Sequence, residues 1–137
     1  MKYRYIDHTS DLGVEIFGKD LKELFANACF TMFDNILDLN LVKEKETRTI
    51  TLKSLNLQDL FMDWLRELLF IFSTEYFIVK RVAKINLADN VLTAELKGEK
   101  FDTARHRIKI EIKTPTYHMY NIEQTKKGYQ ATVIFDV

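Results

Sequence analysis

The sequence contains little cysteine, proline or glycine: one Cys, one Pro and four Gly in 137 residues. The single cysteine, Cys29, excludes an internal disulfide and a cysteine-based zinc cage. Its place in an apolar helical pattern favours burial as a small hydrophobic residue. The glycines are isolated, so the chain has neither a P-loop nor a glycine-rich dinucleotide fingerprint. With little linker material, residues 1–137 are expected to form one domain.

The chain also lacks an excess of charge of one sign and a long hydrophobic run. Twenty Lys and Arg residues balance twenty Asp and Glu residues, so no overall positive charge indicates nucleic-acid binding. The longest purely apolar run, residues 68–72, is too short to span a bilayer. Because the N-terminus shows no signal-peptide pattern either, we expect a cytoplasmic protein.

Hydrophobic periodicity predicts two helices and roughly seven strands, grouped rather than alternating. Asp20 and Glu23 resemble a capping box, and the apolar spacing after them predicts a helix that ends near Leu39. Asn56 or Ser54 is expected to cap the second helix. Strands are predicted over 2–6, 12–17, 47–52, 78–87, 91–96, 119–124 and 129–135, with hairpin turns at 88–90 and 126–128. The pattern predicts an α+β two-layer sandwich in which two long helices cover one face of a mostly antiparallel, multi-stranded sheet.

Residues 105–113 alternate strictly, with Ile108, Ile110 and Ile112 on one face and charged side chains on the other, which is typical of a half-buried strand. The basic members of this stretch are Arg105, Arg107, Lys109 and Lys113. They form either the solvent face of a sheet or a docking surface for an acidic partner or an RNA backbone, and both interpretations remain open. Pro115 lacks a backbone donor and predicts an edge, a bulge or a bend directly after Lys113.

Ionisable residues occur beside strand-forming residues at both ends of the chain. Asp11 precedes the second predicted strand, while Asp136 and the carboxylate of Val137 follow the last one. If these strands pair, the three carboxylates converge, and crowded carboxylates repel one another unless a cation lies among them. Oxygen ligands of this kind favour calcium, magnesium or manganese over zinc or copper.

Three histidines, His8, His106 and His118, are the other candidate metal ligands. Zinc is commonly bound by histidine, but these spacings match no known zinc motif. Histidine in a loop more often makes ordinary hydrogen bonds. We therefore regard a zinc site as the weaker hypothesis.

Four blocks of the sequence, taken together and in order, resemble the archease family. The blocks are Asp7-His8-Thr9-Ser10-Asp11-Leu12-Gly13, Gly98-Glu99-Lys100-Phe101-Asp102 with His106, Glu111-Ile112-Lys113-Thr114-Pro115-Thr116-Tyr117-His118, and Val133-Ile134-Phe135-Asp136-Val137. The resemblance covers essentially the whole chain. Two positions depart from the usual pattern: Thr114-Pro115 follow the lysine in place of Ala and an aliphatic residue, and Ser10 replaces Ala.

The resemblance implies an accessory protein rather than an enzyme. Archeases promote guanylylation and turnover of the RtcB-type RNA ligase, which joins tRNA halves, and they can broaden its nucleotide use. By position, the resemblance implies a divalent-cation site at Asp11, Asp136 and Val137, with calcium as the usual ion. It also implies a functional role for Lys113, and less defined roles for the residues in the matching blocks. These are His8, Glu99, His106 and His118.

Two other functions remain open on the sequence. One is a small metal-dependent phosphoester hydrolase that uses Asp11, Asp136 and a histidine, although no nucleophile or water-activating cluster is evident. The other is a chaperone-like module that binds a partner and uses its acidic residues only to cap turns.

Overall fold

The computed structural model describes residues 1–7 and 11–137. Within them, the strands are β1 Tyr3–Ile6, β2 Leu12–Gly18, β3 Glu46–Lys53, β4 Phe77–Ala88, β5 Val91–Lys100, β6 Thr114–Thr125 and β7 Gly128–Asp136. The helices are α1 Leu21–Ile36 and α2 Leu57–Glu75, with a short 3-10 helix at Leu39–Leu41. No helix in this described part combines the length and hydropathy needed to cross a membrane.

The strands form two antiparallel sheets. One has the order β1-β2-β7-β6, and the other has the order β3-β5-β4. Every named strand pair is antiparallel. The predicted α+β class is confirmed, with the strands divided between two sheets.

Side-chain caps set where the helices begin. The Asp20 carboxylate accepts a hydrogen bond from the Glu23 amide at 2.8 Å, and the Glu23 carboxylate accepts one from the Lys19 amide at 3.1 Å. Asn56 caps α2 through its side-chain oxygen, which lies 2.8 Å from the Asp59 amide nitrogen. Both predicted caps are confirmed, and Asn56 rather than Ser54 caps the second helix.

The two helices pack against each other and against both sheets. α1 contacts β2 and β7 of one sheet and β4 of the other, while α2 contacts β6 of one sheet and β3, β4 and β5 of the other. Trp64 is fully buried, and its indole N–H donates to the Phe25 carbonyl of α1 at 2.9 Å. Cys29 is buried in this core, and burial raises the pKa of its thiol, so the predicted role as a small hydrophobic residue is confirmed.

Residues 105–113 do not form the strand that their alternation predicts. They belong to the connection between β5 and β6. Within the described residues, their strand-like pairing is limited to an isolated β-bridge between Leu37 and Ile108. The same bridge explains a second correction: α1 ends at Ile36, before Leu39. Leu37 has an extended backbone and joins this bridge instead of continuing the helix.

The turn and edge predictions are confirmed. Asp89 and Asn90 have φ angles of 53° and 60°. Positive φ angles at both central residues are characteristic of the type I′ turn of a two-residue β-hairpin. Pro115 lies in β6, which is an edge strand, where a missing backbone donor is tolerated. An irregularity between Thr116 and Asn121 interrupts the pairing of this strand with β7.

Gly98 offers a test of how closely the three-stranded sheet is packed. A Cβ atom at Gly98 would lie 1.8 Å from the backbone oxygen of Ile78, whereas one at Gly13 would lie 2.7 Å from a side-chain carbon of Ile6 and 3.2 Å from its backbone oxygen. We expect Gly98→Ala to lower the free energy of unfolding by about 3 kcal/mol or more. Gly13→Ala is the matched variant and should cost clearly less. Urea unfolding of both proteins measures the difference, and equal losses would contradict this account of Gly98.

Candidate functional site

The strand register brings the two ends of the chain together. In the antiparallel pair of β2 and β7, Leu12 lies opposite Phe135 and Gly13 lies opposite Ile134. Continuing this register by one residue sets Asp11 opposite Asp136. Directly opposite residues in such a ladder have neighbouring side chains on the same face. The sequence prediction that the opening and closing segments lie side by side therefore agrees with the backbone pairing.

The segment that leads into β6 meets the same sheet end. The Lys113 amide donates to the Asp136 carbonyl at 2.8 Å, and Thr114 lies opposite Asp136 in the ladder. Lys113 and Asp136 are both exposed. Within the described residues, neither of these two side chains makes a hydrogen bond or an ion pair. A cationic and an anionic side chain are thus both available to a partner at one end of the sheet.

The alternation of side chains along β2 and β7 places Asp11 and Asp136 on the outer face of the sheet. Val14 and Val133 are paired and fully buried in the core. Asp11 and Asp136 are each an odd number of residues away from these positions, so their side chains project to the opposite face. The outer face is polar further along, where Gln130 donates to Glu15 at 2.6 Å. The carboxylates therefore face away from the hydrophobic core.

These residues suit a hard divalent cation in their chemistry. Asp11 and Asp136 each offer carboxylate oxygens, and the main-chain carboxylate of Val137 follows Asp136 directly. Calcium, magnesium and manganese prefer such all-oxygen donors. Among residues 1–7 and 11–137, no three His, Cys, Asp or Glu side chains gather as a metal-binding group. Within these residues, the two aspartates alone do not make up such a group.

Glu99 lies in a different place and has structural partners. Its side chain is 3% exposed, and it accepts two hydrogen bonds from the Arg105 guanidinium, including one of 3.0 Å from Nη1. The Lys43 amide donates to the same carboxylate at 2.7 Å. Chiefly because of the Arg105 hydrogen bonds, and against the effect of burial, the pKa of Glu99 is lowered to about 2.

His106 completes this buried polar group. Its Nδ1 accepts a hydrogen bond from the Asp102 amide at 2.9 Å, which assigns the proton of the neutral ring to Nε2. Nε2 then lies 3.2 Å from both the Leu41 carbonyl and the Glu99 carboxylate. Because both ring nitrogens are engaged by protein groups, His106 is not available as a zinc ligand. Glu99 and His106 instead fix the start of the connection that carries Lys113.

The remaining predicted residues are spread apart. His118 is exposed in the irregular part of β6 and has a partner of its own. His8 and Ser10 lie outside the described residues. Arg105, predicted as one member of a basic surface, is the main counterion of Glu99. The sequence carried no clear signal for that pairing, because the two residues lie on either side of a turn.

The comparisons with known proteins agree with this architecture. A solution structure of a Methanobacterium thermoautotrophicum protein superimposes with a TM-score of 0.82 and 33% identity, covering 99% of each chain. A crystal structure from Thermotoga maritima, described as an archease and possible chaperone, gives a TM-score of 0.71 with 98% of this chain and 96% of that chain covered. At 21% identity, the second likeness shows the fold alone. The chain is therefore a small α+β domain with the fold of these two structures.

The sequence comparisons define the family. A model described as the archease protein family matches residues 3–137. Archeases from Methanosarcina barkeri and Archaeoglobus fulgidus are each 34% identical, over 140 and 139 residues. The first alignment covers 99% of this chain and 96% of the relative, and the second covers all of both. The chain belongs to the archease family.

The Glu99 site predicts a specific acid sensitivity. Since the folded-state pKa of Glu99 lies below its ordinary value of 4.5, its ionised form stabilises the fold above that pH. This contribution is lost as the pH falls from about 4.5 towards 2. We expect Glu99→Gln to lower the free energy of unfolding by about 1–3 kcal/mol at neutral pH. It should also remove part of the loss of stability in that acidic window.

Denaturant unfolding across that pH range measures both effects. Glu95→Gln is the matched control, because Glu95 lies on the same strand and is 31% exposed, at 3.8 Å from Lys97. That surface ion pair should contribute less than about 0.5 kcal/mol. An unchanged pH profile in Glu99→Gln would show that Glu99 is not the group concerned.

Proposed function

We propose that this chain is an accessory activator of the RtcB-type RNA ligase. In this role it promotes guanylylation and multiple turnover of the ligase and broadens its nucleotide use, without joining RNA itself. Membership of the archease family supports the proposal. The observation that carries it is the shared sheet end, where β2, β7 and the segment before β6 bring Asp11, Asp136 and Lys113 to one edge.

The anionic half of this sheet end is proposed to hold the divalent cation. Asp11, Asp136 and the Val137 carboxylate are its donors, with calcium as the preferred ion and magnesium or manganese as alternatives. When bound, the ion would supply positive charge that attracts phosphate oxygens. The two aspartates would fix its position at the edge of the sheet. Because they face outward, a partner could approach this position without any rearrangement of the core.

Lys113 is proposed to contact a phosphate of the nucleotide or RNA held by the ligase. Lysine carries a compact charge on a flexible side chain, so it suits phosphate contacts that do not need the fixed bidentate geometry of arginine. The Lys113 backbone is held by the Asp136 carbonyl while its side chain is exposed. The main chain is therefore positioned before the partner arrives, and only the side chain needs to be ordered.

Single-turnover guanylylation of the ligase tests these roles. We expect Asp11→Ala, Asp136→Ala and Lys113→Ala each to reduce stimulation on the order of tenfold or more, because each removes a charged group from the proposed contact with metal or phosphate. The matched controls are Glu123→Ala and Lys127→Ala. These remove the same charges at the opposite, hairpin end of the same sheet and should leave stimulation intact.

The pattern of results separates the candidate functions. Equal stimulation by wild type and all three site variants would contradict the proposal. Full stimulation by Asp136→Ala, with no divalent ion detected by calorimetry, would favour a partner-binding module without metal chemistry. Phosphoester turnover with manganese in the absence of any ligase would favour a hydrolase.

The role of the terminal carboxylate has its own test. A short glycine-serine extension after Val137 moves the free carboxylate away from Asp136 and replaces it with a neutral amide. We expect the affinity for calcium, measured by isothermal titration calorimetry, to fall about tenfold, since fewer anionic ligands weaken calcium sites. The same extension placed before Met1 is the control. Unchanged affinity in both proteins would remove Val137 from the site.

A further inference from the structure

A groove separates α2 from the segment that leads into β6. It encloses about 760 Å³ and is lined by α2 on one side and by residues 108–115 on the other. Three of its apolar side chains are substantially exposed: Phe70 at 58%, Tyr76 at 63% and Ile108 at 43%. Phe70 lies off the apolar stripe that packs α2 into the core. A large aromatic side chain on the polar side of a helix points to contact with another molecule.

One wall of the groove has a main-chain edge that is unpaired within the described residues. The Lys109 amide donates to the Ile36 carbonyl at 2.7 Å, and the Lys113 amide donates to the Asp136 carbonyl at 2.8 Å. Between these two fixed points, the N–H and C=O groups of residues 110–112 have no hydrogen-bonding partner within the described part of the chain. Exposure alternates along this stretch, with Ile112 buried and Glu111 exposed, as in a strand. Such an edge is a template for pairing with an added strand.

The charges around the groove are mostly positive. Its charged lining residues are the cationic Arg66 and Lys113 and the anionic Glu111. Arg107 and Lys109 are exposed in the adjoining stretch. Since the apolar wall and the cationic rim occur together, a complementary segment would alternate apolar and acidic side chains.

We propose that this groove binds an extended segment of a partner protein, in which apolar residues alternate with acidic ones. Its main chain pairs with residues 110–112, and its apolar side chains cover Phe70, Tyr76 and Ile108. Naming the ligase as the protein that supplies this segment rests on the proposed function. The two sites adjoin, because the Lys113 amide joins the groove wall to Asp136. The groove thus provides the docking contact, and the adjoining sheet end with Asp136 stimulates the ligase.

A peptide titration tests the groove without the ligase. The probe is a synthetic peptide of alternating isoleucine and glutamate, and the control peptide replaces each glutamate with lysine. We expect the acidic peptide alone to shift the amide resonances of residues 110–112 in NMR spectra and to slow their hydrogen exchange. Phe70→Glu should weaken this binding about tenfold or more. Leu55→Glu is the matched variant, because Leu55 is 89% exposed and lies outside the groove.

Several outcomes would overturn the inference. Equal binding of the two peptides, unchanged binding by Phe70→Glu, or shifts that spare residues 110–112 would each do so. Sedimentation that shows a wild-type dimer dissociated by Phe70→Glu would also overturn it, because a second copy of the chain would then occupy the groove.

A second measurement with the ligase separates this inference from the proposed function. We expect Phe70→Glu to raise the protein concentration for half-maximal stimulation about tenfold while the maximal rate is retained. Asp136→Ala should instead lower the maximal rate. If wild type fails to stimulate the ligase, the proposed function is wrong, and the peptide titration still decides the groove. If Phe70→Glu leaves half-saturation unchanged, the docking inference is wrong and the proposed function is unaffected.

Discussion

The antiparallel pairing of β2 with β7 is the constraint on which the candidate site depends. Its register sets Leu12 opposite Phe135, and it leaves the next residue on each strand, Asp11 and Asp136, at the same sheet end. A shift of one residue would turn every side chain of one strand to the other face. Because Val14 and Val133 must face the core, hydrophobic burial enforces the same register that aligns the two carboxylates.

The connection between β5 and β6 shows how a strand-like sequence can serve another purpose. Its alternation is real, because Ile112 is buried and its charged neighbours are exposed. Yet this stretch finds no strand partner within the described residues apart from the bridge at Ile108. Glu99 and His106 hold its beginning, and the Asp136 carbonyl holds its end. The sequence pattern therefore predicted the burial of Ile112 correctly, but not that of Ile108, which is 43% exposed. Strand pairing depended on neighbours that a local pattern cannot identify.

Local features were the most predictable part of this fold. Asp20, Asn56 and the turn at Asp89-Asn90 each act on backbone groups only a few residues away, so their chemistry is readable from sequence. The adjacency of the two end segments was a hypothesis from the placement of ionisable residues beside predicted strands, and the β2–β7 register agrees with it. The partner of Glu99 was not predictable in the same way. Its carboxylate gathers groups from separate parts of the chain, and those contacts exist only once the chain has folded.

The position of β7 inside its sheet has a consequence for biosynthesis. This strand lies between β2 and β6, yet it is synthesised after both of them. Until it emerges from the ribosome, β2 and β6 have no central neighbour to join them, and part of the core remains open to water. The four-stranded sheet can therefore close only after β7 has left the ribosome. A nascent chain of this protein should need protection from non-specific association until β7 is free to pair.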